Sequence, residues 1–441
     1  MKIIYHLNWG LIFKKMKTVG FHTFGCKLNF SETSSISREF TDNGYKKKSI
    51  YDNPNKVIIN TCSVTENADK KCQDLIRKIK RKSPDSEITV VGCFAQLKPK
   101  EIINIKGVDK VIGAKNKFNF QSYISDKSVI HSKINESKDF KSTFSIDDRT
   151  RSFLKIQDGC NYGCSFCTIP LARGRSRSAK PEEVLSNLKE LIKKGSKEIV
   201  LSGINIGDYG IVEGKRSNDF YTLLQKINNE IKNIRIRISS IEPNLLSNEI
   251  IKLIGESEIF VNHFHIPLQS GSNKILNGMS RRYTSELYED RVKYIKKLMP
   301  DACVGGDVIV GFPGEDKNEF DITLEFIKNL DMSYLHVFPY SERANTRAIS
   351  LNESVPIEER NKRSKVLRLL SDKKKRYFYE SNLNNVRNVL FENKVNGDFI
   401  YGFTDNYVKT KIKFNKKLVG KECNILLKKV DDDLSVIGEI I

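Results

Sequence analysis

Short runs of β-branched and other apolar residues recur along this chain, separated by longer stretches in which apolar positions return every three or four residues. The runs read as buried strands, and the stretches between them as helices packed on those strands. Thr18 to Phe24, Val57 to Asn60, Ile88 to Val91 and Lys110 to Ile112 are strand candidates, with a helix predicted over Asn67 to Lys82. This alternation describes a small α/β domain. Between Phe118 and Asp148 the sequence turns polar and loses its period, which predicts a linker and places a boundary near Asp147. A βα unit then repeats. Ser152 to Gln157, Glu198 to Ser202, Ile234 to Ser239, His263 to Pro267, Val304 to Val310 and Tyr334 to Phe338 are further strand candidates. Pro181, Glu182 and Glu183 suit the start of one intervening helix, and Lys193, Lys194 and Gly195 suit its end. Repeated βα units imply a parallel sheet, open or closed into a barrel, with functional groups at the C-terminal ends of its strands. A charged helical segment, Glu358 to Lys375, leads into a β-rich tail, Val389 to Ile441, with turn signals at Asn396-Gly397 and Asp405-Asn406. The expected fold class is α/β in three parts: an N-terminal parallel-sheet domain over 16–140, a central partial (β/α) barrel over 146–375 and a small all-β module over 376–441.

A length of 441 residues with 39% hydrophobic content is enough for several cores and excludes wholesale disorder. Residues Met1 to Lys15 carry an apolar run broken by His6 and Asn8, without a small-residue cleavage site, so neither a signal peptide nor an anchor fits. Met16 stands directly before the first strand, and translation is expected to begin there, leaving 1–15 as a non-native or disordered extension. The nine cysteines, an odd number without a secretory signal, point to metal or catalytic use in a reducing, cytoplasmic setting. The formal net charge of +21 suits a polyanionic partner, and a Lys-, Asn- and Ile-rich composition yields the same excess without one.

The strongest chemical signal is the segment Cys160-Asn161-Tyr162-Gly163-Cys164-Ser165-Phe166-Cys167, directly after a predicted strand. Three thiolates in one short loop can hold three irons of a cubane and leave the fourth open to a chelating substrate. A structural zinc site would need a fourth ligand nearby, and the nearest downstream candidate is His263. Cys26, Cys62 and Cys93 each follow a strand of the first domain, so a parallel sheet can gather them at one edge; their spacing also allows three ordinary buried cysteines. Cys72 shares a helical face with Leu75, Ile76 and Ile79, while Cys303 and Cys423 sit in predicted strands, and these three read as packing residues.

In the tail, Lys409, Lys411 and Lys413 alternate with Val408, Thr410, Ile412 and Phe414, which puts three ammonium groups on one strand face. Lys416, Lys417 and Lys421 follow, with no acid between Asn406 and Lys421. Such a patch suits phosphates, with Tyr401, Phe403 and Tyr407 near for stacking; an edge strand guarded by lysines shows the same pattern. Arg173, Arg175 and Arg177 are suited to substrate phosphates or to a cofactor carboxylate.

The cysteine loop resembles the signature of radical S-adenosylmethionine (SAM) enzymes. Its flanks, Lys155-Ile156-Gln157-Asp158-Gly159-Cys160-Asn161 and Cys167-Thr168-Ile169-Pro170-Leu171-Ala172-Arg173-Gly174, resemble the methylthiotransferase branch of that superfamily. The segments around Cys26 (Thr23 to Asn29), Cys62 (Asn60 to Thr65) and Cys93 (Val91 to Gln96) are similar to that branch too, and the tail resembles its RNA-binding TRAM barrel. The resemblance implies two 4Fe-4S clusters. One, on Cys160, Cys164 and Cys167, would be chelated by SAM and cleave it to a 5'-deoxyadenosyl radical; the auxiliary one would sit on Cys26, Cys62 and Cys93. It also implies SAM contacts at four strand ends, with Ser202, Gly203, Glu242, Gln269, Ser270 and Asp307 as the expected residues. Taken one by one, such positions have plainer readings: Glu242 can simply start a helix, and Gly311 can simply turn the chain. His263 and His265 alternate on one strand face and read as barrel wall.

Through Gly25 to Asn29, His265 to Asn273 and Gly402 to Tyr407, the chain is most similar to the MtaB-like branch. The implied activity is transfer of a methylthio group to C2 of threonylcarbamoyladenosine beside the tRNA anticodon, using two SAM molecules. The implied partners are the tRNA anticodon stem-loop, contacted by Lys409, Lys411, Lys413, Lys416 and Lys417, a flavodoxin- or ferredoxin-type electron donor and a sulfur donor, with no membrane. An isopentenyladenosine (MiaB-like) enzyme is the alternative within the family. A non-enzymatic, metal-containing RNA-binding protein is the alternative from another class.

Overall fold

The computed structural model describes residues 16–62, 66–134, 139–146 and 150–441, so the expected N-terminal extension and the boundary near Asp147 lie outside the described residues. The first sheet has strands β1 (Thr18–Thr23), β2 (Lys46–Lys47), β3 (Lys56–Thr61), β4 (Glu87–Gly92), β5 (Lys110–Ile112) and β6 (Val129–Ile130), all parallel, in the order β2-β1-β3-β4-β5-β6. Its central strands are apolar on both sides because helices cover both. Val57 and Ile59 pack with Ile76 and Ile79 of α2 (Glu66–Lys82), while Ile58 packs with Ile36 and Phe40 of α1 (Lys27–Asp42) on the opposite face. The strand order reverses between β1 and β3, and the crevice at such a switch point is where open α/β sheets bind ligands.

The polar stretch after Phe118 is not the featureless linker its sequence predicts. It contributes a short helix (Phe120–Ile124), the edge strand β6 and a two-residue strand, β7 (Thr143–Phe144), that pairs antiparallel with the next sheet. Strands this short carry no readable period, and they form only because an edge of backbone donors and acceptors is already waiting.

The central region is an arc of parallel strands: β8 (Arg151–Lys155), β9 (Glu198–Ser202), β10 (Arg235–Ile238), β11 (His263–His265), β12 (Cys303–Val310) and β13 (Tyr334–Pro339). A bridge from Ile236 to Phe260 joins its two halves. The helix expected from the Pro181 and Lys193 signals is present as α3 (Pro181–Lys193). Leu154, Ile199, Leu201, Ile236, Phe264, Val304, Val308, Leu335 and Val337 point outward into the core beneath the helices. The alternate positions, among them Arg151, Phe153, Lys155, Glu198, Arg237, His263, His265, Asp307 and His336, therefore line the concave side. A parallel sheet is ordinarily apolar on both faces, so this charged inner face marks a site rather than a core.

A long helix, α4 (Ile357–Glu380), leads to a closed barrel of β14 (Val386–Asn396), β15 (Phe399–Thr404), β16 (Lys409–Lys413), β17 (Glu422–Val430) and β18 (Val436–Ile440). The barrel docks under the arc. Tyr407 donates its hydroxyl to buried Glu198, and the guanidinium of Arg237 lies 4.4 Å from the centre of the Tyr407 ring. At the open side of the arc stands α1. Phe30 packs on Phe153 with ring centres 6.4 Å apart, and fully buried Glu32 takes Lys117 at 2.7 Å, Arg173 at 2.9 Å and Lys155 at 3.2 Å.

A candidate active site between two cysteine trios

β1, β3 and β4 are neighbours that run the same way, so the residues after them meet at one edge: Cys26 caps α1, Cys62 follows β3, and Cys93 opens a short helix after β4. Gly25, at φ +100, is needed for this approach, because a Cβ there would stand 2.7 Å from Cys62 Cβ and 3.2 Å from its sulfur. Asn29 Nδ2 ties the loops together by donating to the carbonyls of Phe24 at 2.8 Å and Thr61 at 3.1 Å. Burial pushes the Cys93 thiol up, and the neighbouring Cys26 adds to the rise against the pull of Arg173.

The second trio sits in the loop after β8. Gly159, at φ +70, starts it, and a Cβ there would meet the Arg175 carbonyl oxygen at 2.1 Å. Gln157 Nε2 donates to the Asp158 and Gly159 carbonyls at 3.1 and 2.8 Å, and Cys160 N–H donates to Gly174 O at 3.1 Å. Distant segments complete the cradle. Ser165 N–H reaches Met279 O at 3.0 Å, Arg347 donates to the Gly163 carbonyl, and Arg281 Nη1 lies 3.0 Å from Cys164 Sγ while its other nitrogen pairs with Glu242. Burial raises the Cys160 thiol to about 11 and the Cys167 thiol to about 12, whereas Arg281 pulls against the rise at Cys164. Thiols so placed become thiolates when a cation sits among them.

Both trios fit iron–sulfur clusters by their donors. Each offers three soft thiol ligands, and among the described residues neither forms a set of ligand atoms lying mutually within 4.8 Å. A single tetrahedral zinc, with Zn–S bonds of about 2.3 Å, would draw its sulfurs closer than that. At the rim above the arc, the amide oxygen and nitrogen of buried Asn205 and Oε1 of Gln269 have no partner among the described residues. Such orphaned polar atoms suit a polar ligand beside the Cys160 loop.

The expected SAM contacts divide. Glu242, Gln269 and Asp307 come to the inner side: Glu242 through Arg281, Gln269 at φ +64 on the rim, and Asp307 held 3.2 Å from both His265 Nε2 and His336 Nδ1. Gly203 allows a close approach, since a Cβ would sit 2.8 Å from Gln157 Oε1. Ser202 and Ser270 depart from the expectation. Ser202 is fully buried and bonds back to Val200 O at 3.1 Å, and Ser270 is fully buried against Thr323 of an outer helix, with 3.0 Å between the hydroxyls. Arg173 is also corrected: it is 2% exposed and bound to Glu32, Asp158 and Asn29, and Arg177 likewise bonds Asp158, so only exposed Arg175 is open to a ligand. Arg281 and His336 lie outside the strand-end segments, and Asn205 lies within the one after β9, where Ser202 and Gly203 are the expected contacts. His265, read as wall, is paired with Asp307.

The lysine patch is altered in the same way. Lys411 is 5% exposed, with its ammonium paired to Asp431 and standing 3.2 Å from Asp433, acids that arrive from the turn after β17. Lys409 lies 4.6 Å from the centre of the Tyr401 ring, while Lys413, Lys416 and Lys417 remain exposed. The barrel is closed, so β16 is not an edge strand. Cys72 and Cys303 are buried in cores as expected. A Cys72→Ala variant should keep its full iron content and lose about 1–2 kcal/mol of stability, as read by iron assay and denaturant midpoint.

Residues 154–327 match the radical SAM superfamily, and residues 18–113 match uncharacterized protein family UPF0004. The chain is 40% identical to the threonylcarbamoyladenosine tRNA methylthiotransferase MtaB of Bacillus subtilis, over 92% of each chain. It is 37% identical to the MtaB of Aquifex aeolicus, over 93% of this chain and 100% of that one. A tRNA-2-methylthio-N(6)-dimethylallyladenosine synthase of Clostridium botulinum is 35% identical over 79% of this chain and 81% of its own. Among solved structures, the radical SAM methyltransferase TsrM from Kitasatospora setae shares the fold, with a TM-score of 0.54 and 13% identity over 73% of this chain and 72% of that one. With one cysteine trio on a partial barrel, another on the parallel sheet that precedes it, a closed C-terminal barrel and relatives this similar over nearly its whole length, the chain belongs to the MtaB family of radical SAM methylthiotransferases.

Proposed function

We propose that this enzyme transfers a methylthio group to threonylcarbamoyladenosine beside the anticodon of tRNA. The observation that carries the reading is a second cysteine trio on the domain that closes the open side of the radical SAM arc, in a chain 40% identical to a curated enzyme of that activity. Cys160, Cys164 and Cys167 would hold the SAM-binding cluster, and Cys26, Cys62 and Cys93 the auxiliary one. When bound, the clusters and SAM supply one-electron chemistry able to activate an aromatic C–H bond that has no useful acidity toward a general base.

This chain's own residues do the rest. Arg281 places a cation on Cys164 and orients Glu242 beside it. Gln269 and Asn205 present unpaired amide atoms on the rim for the polar parts of SAM. Tyr407 closes the base of the arc, and α1 stands across its side, so the two bound the space in which the reacting groups would meet. Lys413, Lys416 and Lys417 contact RNA phosphates from the terminal barrel. The reaction requires an electron donor of flavodoxin or ferredoxin type and a sulfur donor, and tRNA places the enzyme in the cytoplasm. Among the described residues no helix is long and apolar enough to cross a membrane.

The test is anaerobic reconstitution followed by nucleoside mass spectrometry of a deletion strain. About eight irons per chain, reductive cleavage of SAM and loss of methylthio-threonylcarbamoyladenosine from the strain are the expected results. An unchanged level of that nucleoside overturns the substrate, and zinc without SAM cleavage overturns the enzyme. For the RNA contacts, Lys413→Ala, Lys416→Ala and Lys417→Ala should each weaken tRNA binding and lower the slope of log K against log salt by about 0.7–0.9. Lys411→Ala, its charge already compensated, should leave that slope unchanged.

A further inference from the structure

Where α1, β8, β10 and the terminal barrel meet, there is a cavity of about 750 Å³. Its lining includes Lys27, immediately after Cys26, and Arg237 of β10. The Lys27 ammonium makes no hydrogen bond, ion pair or ring contact among the described residues, although the side chain is largely covered. Arg237 donates Nε–H to His263 Nδ1 at 3.2 Å and stacks on Tyr407, and among the described residues no carboxylate lies within 4 Å of it. Asp307 is already taken by His265 and His336.

Lys27 and Arg237 bring two half-buried cations to one cavity, whose lining carboxylate, Glu392, is already paired with Arg151 at 2.9 Å, so an anion placed between the two cations would be held by both. The rest of the lining says which anion. Phe21, Phe30 and Phe153 offer aromatic faces to a base, and Lys47 and Lys48 stand exposed at the mouth, where RNA phosphates would pass. We infer that Lys27, backed by Arg237, is the subsite for the free carboxylate on the N6 side chain of the substrate nucleoside. Lys27 thereby selects an adenosine bearing an amino-acid carboxylate over one bearing an apolar N6 group. The inference rests on the proposed function above and deepens it by naming the residue that reads the substrate.

The experiment uses the full-length reconstituted enzyme and two anticodon stem-loop RNAs, one with threonylcarbamoyladenosine and one with the same nucleoside as its neutral carboxamide. The wild-type protein should bind the carboxylate RNA about 10- to 100-fold more tightly, the range of a charge-assisted hydrogen bond. Lys27→Gln should bind the two RNAs within about threefold of each other, Lys27→Arg should retain most of the preference, and Arg237→Gln should narrow it. Arg237 is remote in sequence from the cysteines, so it reports on the subsite if Lys27→Gln fails to fold. A wild-type protein indifferent to the carboxamide, or a full preference kept in both Lys27→Gln and Arg237→Gln, overturns the assignment. Failure of the underlying function looks different: wild-type enzyme that cleaves SAM yet gives no methylthio product on the carboxylate RNA.

Discussion

Cys167→Ala should lower reductive SAM cleavage by at least about a thousandfold, while Cys93→Ala should go on cleaving SAM and form no methylthiolated product. The two cysteines lie at the ends of different sheets, one in the loop after β8 and one after β4. Each variant removes one of three thiol donors from one trio and leaves the other intact, so iron should fall from about eight to about four per chain in either case. The difference lies in which chemistry survives. Anaerobic assays of 5'-deoxyadenosine and of methylthio nucleoside, run side by side, make the distinction. Product from Cys93→Ala, or wild-type SAM cleavage by Cys167→Ala, would dismiss the division of labour between the trios.

Glu32→Gln should cost about 3–5 kcal/mol of stability, an effect set by charge rather than by lost volume. Glu32 is fully buried among Arg173, Lys117 and Lys155, and its neutralisation leaves Arg173 and Lys155 to Asp158 and takes from Lys117 the carboxylate it is paired with. Burial by itself raises the Glu32 carboxyl, but Arg173, Lys117 and Lys155 outweigh it and hold the group ionised well below the usual carboxylate range. At Asp158, Arg173, Lys155 and Arg177 overcome the same burial effect. The folded-state values are therefore depressed. The stability they contribute is complete above the unfolded value of about 4 and is lost as pH falls below it toward the folded values. Denaturant midpoints from pH 7 to about pH 3 should fall steeply for the wild-type protein and less steeply for Glu32→Gln. Equal midpoints at pH 7, or parallel acid slopes, would show that the network contributes nothing at this junction. Because Glu32 lies on α1 and Arg173 and Asp158 flank the Cys160 loop, loss of the network should also loosen the seat of that loop.

Much of the architecture was legible in the residues. The strand candidates from Val57, Ile88, Lys110, Glu198 and Tyr334 appear within about a residue of their expected bounds, because buried parallel strands are written as unbroken apolar runs. The segment after Phe118 was not legible, since strands of two residues borrow their stability from an existing edge.

The sequence by itself determined the six cysteines that follow strands, the repeated βα units and the β-rich tail, all of which follow from local periodicity and spacing, whereas the closure of that tail into a barrel is a tertiary fact. Only the tertiary structure decided which charges are spent. Lys411 reads as a phosphate contact until Asp431 and Asp433 reach it from the turn after β17, and Arg173 reads as a ligand contact until Glu32 meets it from 141 positions away. Arg281 finds Cys164 across 117 positions, whereas Lys27 finds no carboxylate partner among the described residues. Charge compensation depends on distance through space and on the water excluded around the pair, and neither quantity is written in separation along the chain.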